Sequence, residues 1–183
     1  MKSHSIAKYF LLLEEQRTRY LPAIRTLSQE ELWHRPYENK WSIGEHFYHL
    51  YLIFKMLNVV TKYTLFFTPI AKIQRNKPFA TEIHDIYAAY PLKKGKGMPA
   101  PKILLPPKKI CFVLSGCDIE HKLVHETLTL QKLVKDIEED IAGHIRFPDP
   151  VAHYPNLIQA IQLLAIHEQH HFNIMEKSLS PIK

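Results

Sequence analysis

The chain has 183 residues, 46% of them apolar and 23% charged, which fits one globular domain over residues 1–183 and excludes a disordered or fibrous class. A net charge of +6 is mild, no unbroken apolar run reaches the roughly 18 residues that span a bilayer, and the N-terminus lacks a signal-peptide pattern. Cys111 and Cys117 are too widely spaced for a CxxC motif and suit reduced thiols, so a cytoplasmic location is expected. Lys93, Lys94, Lys96, Lys102, Lys108 and Lys109, interleaved with prolines, read as a solvated loop. Neither nucleic acid nor a membrane is therefore expected as a partner.

In chain order, a first amphipathic helix is predicted from about Ser5 to Leu27, with Ile6, Phe10, Leu13, Tyr20, Ile24 and Leu27 on one side and Pro22 kinking its end. Ser28 and Glu31 form a capping box, flanked by Leu27 and Leu32 as a hydrophobic staple, so a short helical turn follows. A second long helix begins at Ser42, where Glu45 completes another box, and reaches about Tyr63. Residues 66–116 then form a long Pro/Lys-rich stretch, which reads as a lid, a binding loop or a crossover with short helices of its own. Within it, Ile110–Leu114 has strand character but no evident partner strand. A third helix is predicted from Asp118 to Ala142, with Leu123, Leu130, Val134, Ile137 and Ile141 as its stripe, and a fourth from Pro155 to Ser178. The fold class is all-α: a four-helix bundle with a long irregular crossover between its second and third helices.

The fourth helix carries the most telling residues, His167-Glu168-Gln169-His170-His171. Residues four apart share a helix face, so His167 and His171 can direct two imidazoles at one metal ion. At about 100° per residue, Ala160, Leu163, Leu164, His171 and Ile174 all lie within roughly 60° of His167. Two histidines thus occupy a core-facing stripe, where an imidazole is costly to bury without a partner. The blander reading is a pair of hydrogen-bonded core histidines; the paired spacing favours a metal.

Such a site needs a third donor from a facing helix. Trp41-Ser42-Ile43-Gly44-Glu45-His46-Phe47-Tyr48-His49-Leu50 is the place to look. His49, one turn deeper than His46 and on the stripe of Ile53 and Met56, is the first choice, and His46, nearer the helix start, is the reserve. Glu45 belongs to the cap. His121 and His125 also stand four apart, but about 160° from Leu123, so they are expected to face solvent. His170 lies off the ligand line, as a pocket-edge residue. Glu168 either orients a ligand from behind or pairs with a neighbouring helix. His4, His34, His84, His144 and His153 have no companion spacing.

Leu32-Trp33-His34-Arg35-Pro36, then Lys40-Trp41-Ser42-Ile43-Gly44-Glu45 leading to His49-Leu50, resembles the first signature of the DinB/YfiT-like metalloenzymes. His167-Glu168-Gln169-His170-His171-Phe172-Asn173-Ile174 resembles their closing H-x3-H helix. The resemblance implies an up-up-down-down-like helical bundle, often a homodimer, with a three-histidine site on His49, His167 and His171. It further implies a nickel, zinc or other divalent ion, and activities such as thiol S-transfer or a thiol-dependent isomerisation. The long middle segment departs from the common pattern.

The leading expectation is an enzyme using a divalent metal, zinc or nickel before iron or manganese, as a transferase or hydrolase on small molecules. Its partner would be a small electrophile together with a low-molecular-weight thiol or water. His49, His167 and His171 would form the pocket floor, with Trp41, Tyr48, His46 and His170 near the rim. The alternative is a non-catalytic, metal-stabilised helical binding module. A weaker rival is an H-E-x-x-H zinc peptidase with Glu168 as general base, yet no downstream ligand stands at the usual separation after His171.

Overall fold

The computed structural model describes residues 1–83, 100–149 and 152–179, so Lys93, Lys94, Lys96 and His84 lie outside the described residues. Regular structure among the described residues is helical, apart from one isolated antiparallel bridge between Arg146 and Asn156.

α1 (His4–Arg25) starts at Ser3, whose Oγ accepts the Ile6 N–H at 3.2 Å, and Pro22 stands inside its last turns. α2 (Gln29–Trp33) and α3 (Ile43–Thr64) each begin with the expected capping box, Ser28 with Glu31 and Ser42 with Glu45. The direction of α3 continues through a 3-10 turn, Leu65–Phe67, into α4 (Thr68–Ile73). The crossover carries two further 3-10 turns, Lys102–Leu104 and Ile110–Phe112. The latter corrects the strand-like reading of Ile110–Leu114: without a partner strand, the backbone satisfies itself locally, Val113 N–H donating to Ile110 O at 3.0 Å.

α5 (Gly116–Val134) begins two residues earlier than its predicted start, because Ser115 caps it and Asp118 closes a third box. It also ends well before Ala142. The chain turns after Val134, with Ile137 N–H donating to Val134 O at 3.1 Å, and a separate one-turn helix, α6 (Glu139–Ala142), follows. Ile141 therefore enters the core from that second element and not along the α5 stripe. α7 (Leu157–Leu179) completes the order.

α1 packs on α7 and α5, α3 packs on α5 and α7, and α2 and the Lys102–Leu104 turn lie against α3. Phe47, Phe54, Phe172, Leu13, Leu123 and Leu157 are fully buried between them. α3 and α7 thus face each other across the interior, as the histidines require.

One helical span among the described residues, Ile43–Ile73, is long and apolar enough to cross a membrane by length and composition. Counting unbroken apolar residues misses it, because polar residues and lysines interrupt the run. Its inner side buries His49, Asn58, Thr61 and Thr64 and packs on α5 and α7, so one side of it lines the core.

Candidate metal centre

The N-terminal end of α3 is fixed by the residues around it. The Trp33 indole covers Gly44, where a Cβ would lie 2.7 Å from the ring and 3.0 Å from Leu32 O, so no side chain fits. The same indole donates its N–H to Leu114 O at 3.2 Å. Arg35 grips Glu45 with two nitrogens, Nε to Oε2 at 2.8 Å, while Glu45 Oε2 also accepts the Ser42 N–H at 2.9 Å. The Leu32–Pro36 and Lys40–Glu45 motifs are thus one unit that sets the start of α3, nearly two turns before His49.

α7 is fixed at its start and at its middle. Asn156 and Gln159 exchange side chain-to-backbone bonds of 3.0 and 2.9 Å at its start, and Asn156 Nδ2 ties Ala80 O at 2.7 Å. Further along, Glu168 is fully buried and meets Arg17 of α1 through two bonds of 2.8 Å, while Arg17 Nη1 reaches Thr127 Oγ1 at 2.8 Å. The carboxylate faces α1, with both oxygens held by a guanidinium. Glu168 is therefore the clamp to a neighbouring helix, and the general base of an H-E-x-x-H peptidase is not available from it.

With α3 and α7 so held, His49, His167 and His171 each offer a ring nitrogen, all within 4.8 Å of one another. His49 and His171 are buried and His167 is half-buried. His49 Nε2 and His167 Nε2 stand 3.2 Å apart. Two nitrogens sharing one ion at about 2.1 Å in a tetrahedral shell stand roughly 3.4 Å apart, so this pair is already at ligand spacing.

A backbone carbonyl fixes the proton of one ring. His49 Nδ1 lies 2.7 Å from Leu104 O, and a carbonyl only accepts, so the His49 proton is on Nδ1. Its Nε2 then carries a lone pair aimed into the cluster, the arrangement in which a ligating histidine gives its other N–H to the backbone. His171 Nδ1 lies 2.8 Å from His46 Nδ1. When His171 donates in that bond, its Nε2 is left unprotonated as well.

Burial keeps the rings neutral. Desolvation, followed by the neighbouring His49, pushes His167 down to about 3. The same two causes push His46 down to about 4. His171 is pushed down by burial and by His167, and His49 is lowered by burial against the opposing pull of its Leu104 bond. A cluster of rings that resists protonation, with the His49 lone pair aimed inward, fits a divalent cation by its donor chemistry.

Around this floor, the Trp41 indole packs on His49 at 5.1 Å, on His46 at 5.3 Å and parallel to His171 at 6.5 Å. His46, the reserve ligand, is a wall residue bonded to His171. His170 is exposed and meets His171 edge-on at 5.5 Å. Tyr48 packs on Tyr51 of its own helix at 5.3 Å. His121 and His125 are exposed, as their spacing implied, and His121 Nε2 lies 3.7 Å from Cys117 Sγ. The Leu104 carbonyl was not legible in sequence, since a backbone acceptor in a loop leaves no residue-type signal.

The described residues are helical and bring three histidines from two facing helices into position to hold a metal ion, the architecture of a helical metal-binding protein. The chain belongs to the DinB superfamily, whose family model matches residues 12–175. No curated protein and no solved structure matches it.

Proposed function

We propose that the protein is a metal-dependent enzyme of the cytoplasm whose ligands are His49, His167 and His171, transferring a small thiol or water onto a small electrophile. The observation that carries this reading is the convergence of three neutral imidazoles, one with its tautomer set by the Leu104 carbonyl. A divalent ion held by three imidazoles leaves a coordination position open and keeps a water or thiol deprotonated near neutral pH.

The chain's own residues do the rest. Leu104 O holds the His49 ring against rotation, and the Arg17–Glu168 clamp holds the register of α7, so both walls are set before any ligand arrives. Trp41 shields three of the rings from solvent and offers a flat apolar surface on which a small electrophile can lie. His46, half-buried and neutral, accepts the His171 Nδ1 proton at the pocket wall, while exposed His170 marks the entrance. We read the four long helices as one bundle enclosing this floor, with the second half of the crossover as its cover.

The test begins with metal analysis of the purified full chain, expected to give close to one divalent ion per chain, falling at least tenfold in His49→Ala and in His171→Ala. Turnover is then screened with low-molecular-weight thiols and with water as co-substrates. Equal, low metal content in wild type and both variants overturns the site. A metal-dependent rise in melting temperature with no turnover of any thiol or hydrolytic substrate leaves the ion as a structural staple and overturns the enzyme.

A further inference from the structure

We propose that the outer face running from α3 into α4 docks on an anionic phospholipid surface. This rests on a different part of the molecule from the histidine cluster. Along the continuous span that ends at Ile73, Val59, Tyr63, Phe66, Ile70 and Ile73 recur at alternating steps of four and three, so they form one stripe. The stripe points outward: Tyr63 is 67% exposed, Phe66 79% and Ile73 83%, with Phe67 beside it at 58%.

The inner side of the same span carries Thr61, Thr64 and Ala71, all buried, with half-buried Thr68 between them. From Asn58 on, the buried positions of the span are small or polar while bulky aromatic and branched residues face out, an inversion of the usual amphipathic order; in its first half Phe47, Leu50 and Phe54 face the core. An apolar strip of this extent on a monomer ordinarily marks an interaction site.

Charge chooses the occupant. No Asp or Glu occurs between Glu45 and Glu82, whereas Lys55, Lys62, Lys72, Arg75 and Lys77 all do. Arg75 is engaged by Glu138, which precedes α6, and by Asp140 on α6 at 2.7 Å each, while Lys55, Lys62, Lys72 and Lys77 are exposed. A second copy of the chain would bring the same cations face to face. An anionic headgroup layer complements them, and tyrosine and phenylalanine rings settle at the headgroup–acyl boundary. The lysine-rich stretch that first argued against a membrane partner plays no part in this face.

The experiment is vesicle co-sedimentation of the full chain with phosphatidylcholine alone and with added phosphatidylserine. Binding is expected only with the anionic lipid and should weaken as salt rises. Phe66→Ser with Ile73→Ser, both at exposed positions, and separately Lys62→Glu with Lys72→Glu, should each lower partitioning about tenfold or more, with melting temperature unchanged. Absence of binding to anionic vesicles, or binding unaffected by either pair, overturns the proposal. So does a dimer in sedimentation equilibrium that dissociates in the Phe66→Ser, Ile73→Ser variant, because a second copy then covers the face.

Discussion

Gly44 shows how a single position decides whether the centre forms. Its missing Cβ is what lets Trp33 lie on the first turn of α3 while Arg35 reaches Glu45. Gly44→Ala is expected to destabilise the chain by about 1–3 kcal/mol in urea unfolding, the usual range for overpacking, and Trp33→Leu in the same chain should recover part of that loss. Ser42→Ala, which removes the cap but leaves the packing, should cost about 1 kcal/mol. The capping residues were legible because their chemistry is local. The Gly44–Trp33 contact was not, since it depends on how α2 folds back on α3. His49, His167 and His171 could be chosen from helical spacing alone, whereas the bond between His46 and His171 joins two helices more than a hundred residues apart and left no mark in either.

Between elements, the buried Arg17–Glu168 pair joins α1 to α7 beside the cluster, with Thr127 of α5 as a third member. Removing one partner leaves an uncompensated buried charge, so Arg17→Met or Glu168→Leu should each cost about 3–5 kcal/mol. The double substitution Arg17→Met with Glu168→Leu is expected to recover most of that loss, because two apolar side chains then replace two charges. A double-mutant cycle by chemical denaturation measures the coupling, and purely additive losses would rule the clamp out as a coupled pair. Element boundaries followed the sequence wherever a cap and an apolar stripe agreed, as in α3. They failed after Val134, where Ile137 and Ile141 continue the spacing of α5 although the backbone has turned into α6. A hydrophobic period records which residues are buried, not whether one helix buries them.

Across the whole molecule, the histidines make stability depend on acidity. Their folded values lie below the ordinary 6.5, to about 4 for His46 and about 3 for His167, so the unfolded chain binds protons first. Stability of the chelator-treated protein should therefore be level above about pH 6.5 and fall as pH drops from there toward 4, on the order of 1 kcal/mol per group per pH unit. Thermal melts at pH 7 and pH 5 check this, and a higher melting temperature at pH 5 would contradict the sign. With a divalent ion present the fall should be steeper, because protons then compete for the ligands as well. The all-helical class was legible from the apolar periodicity of four segments, and the family from two short motifs at the right separation. The outward apolar face was not, because a stripe of Val59, Tyr63, Phe66, Ile70 and Ile73 looks in sequence like any core-facing stripe.

The acceptor that sets the His49 tautomer is a main-chain oxygen, that of Leu104. Every amino acid supplies that same atom, so exchanging residue 104 for another apolar side chain leaves the proton where it is. Only a shift of the peptide itself, as from lengthening or shortening the chain between Pro101 and Leu105, would let the ring tautomerise and turn an N–H toward the cluster. Saturation mutagenesis should therefore find position 104 permissive to many apolar replacements and intolerant of insertions and deletions.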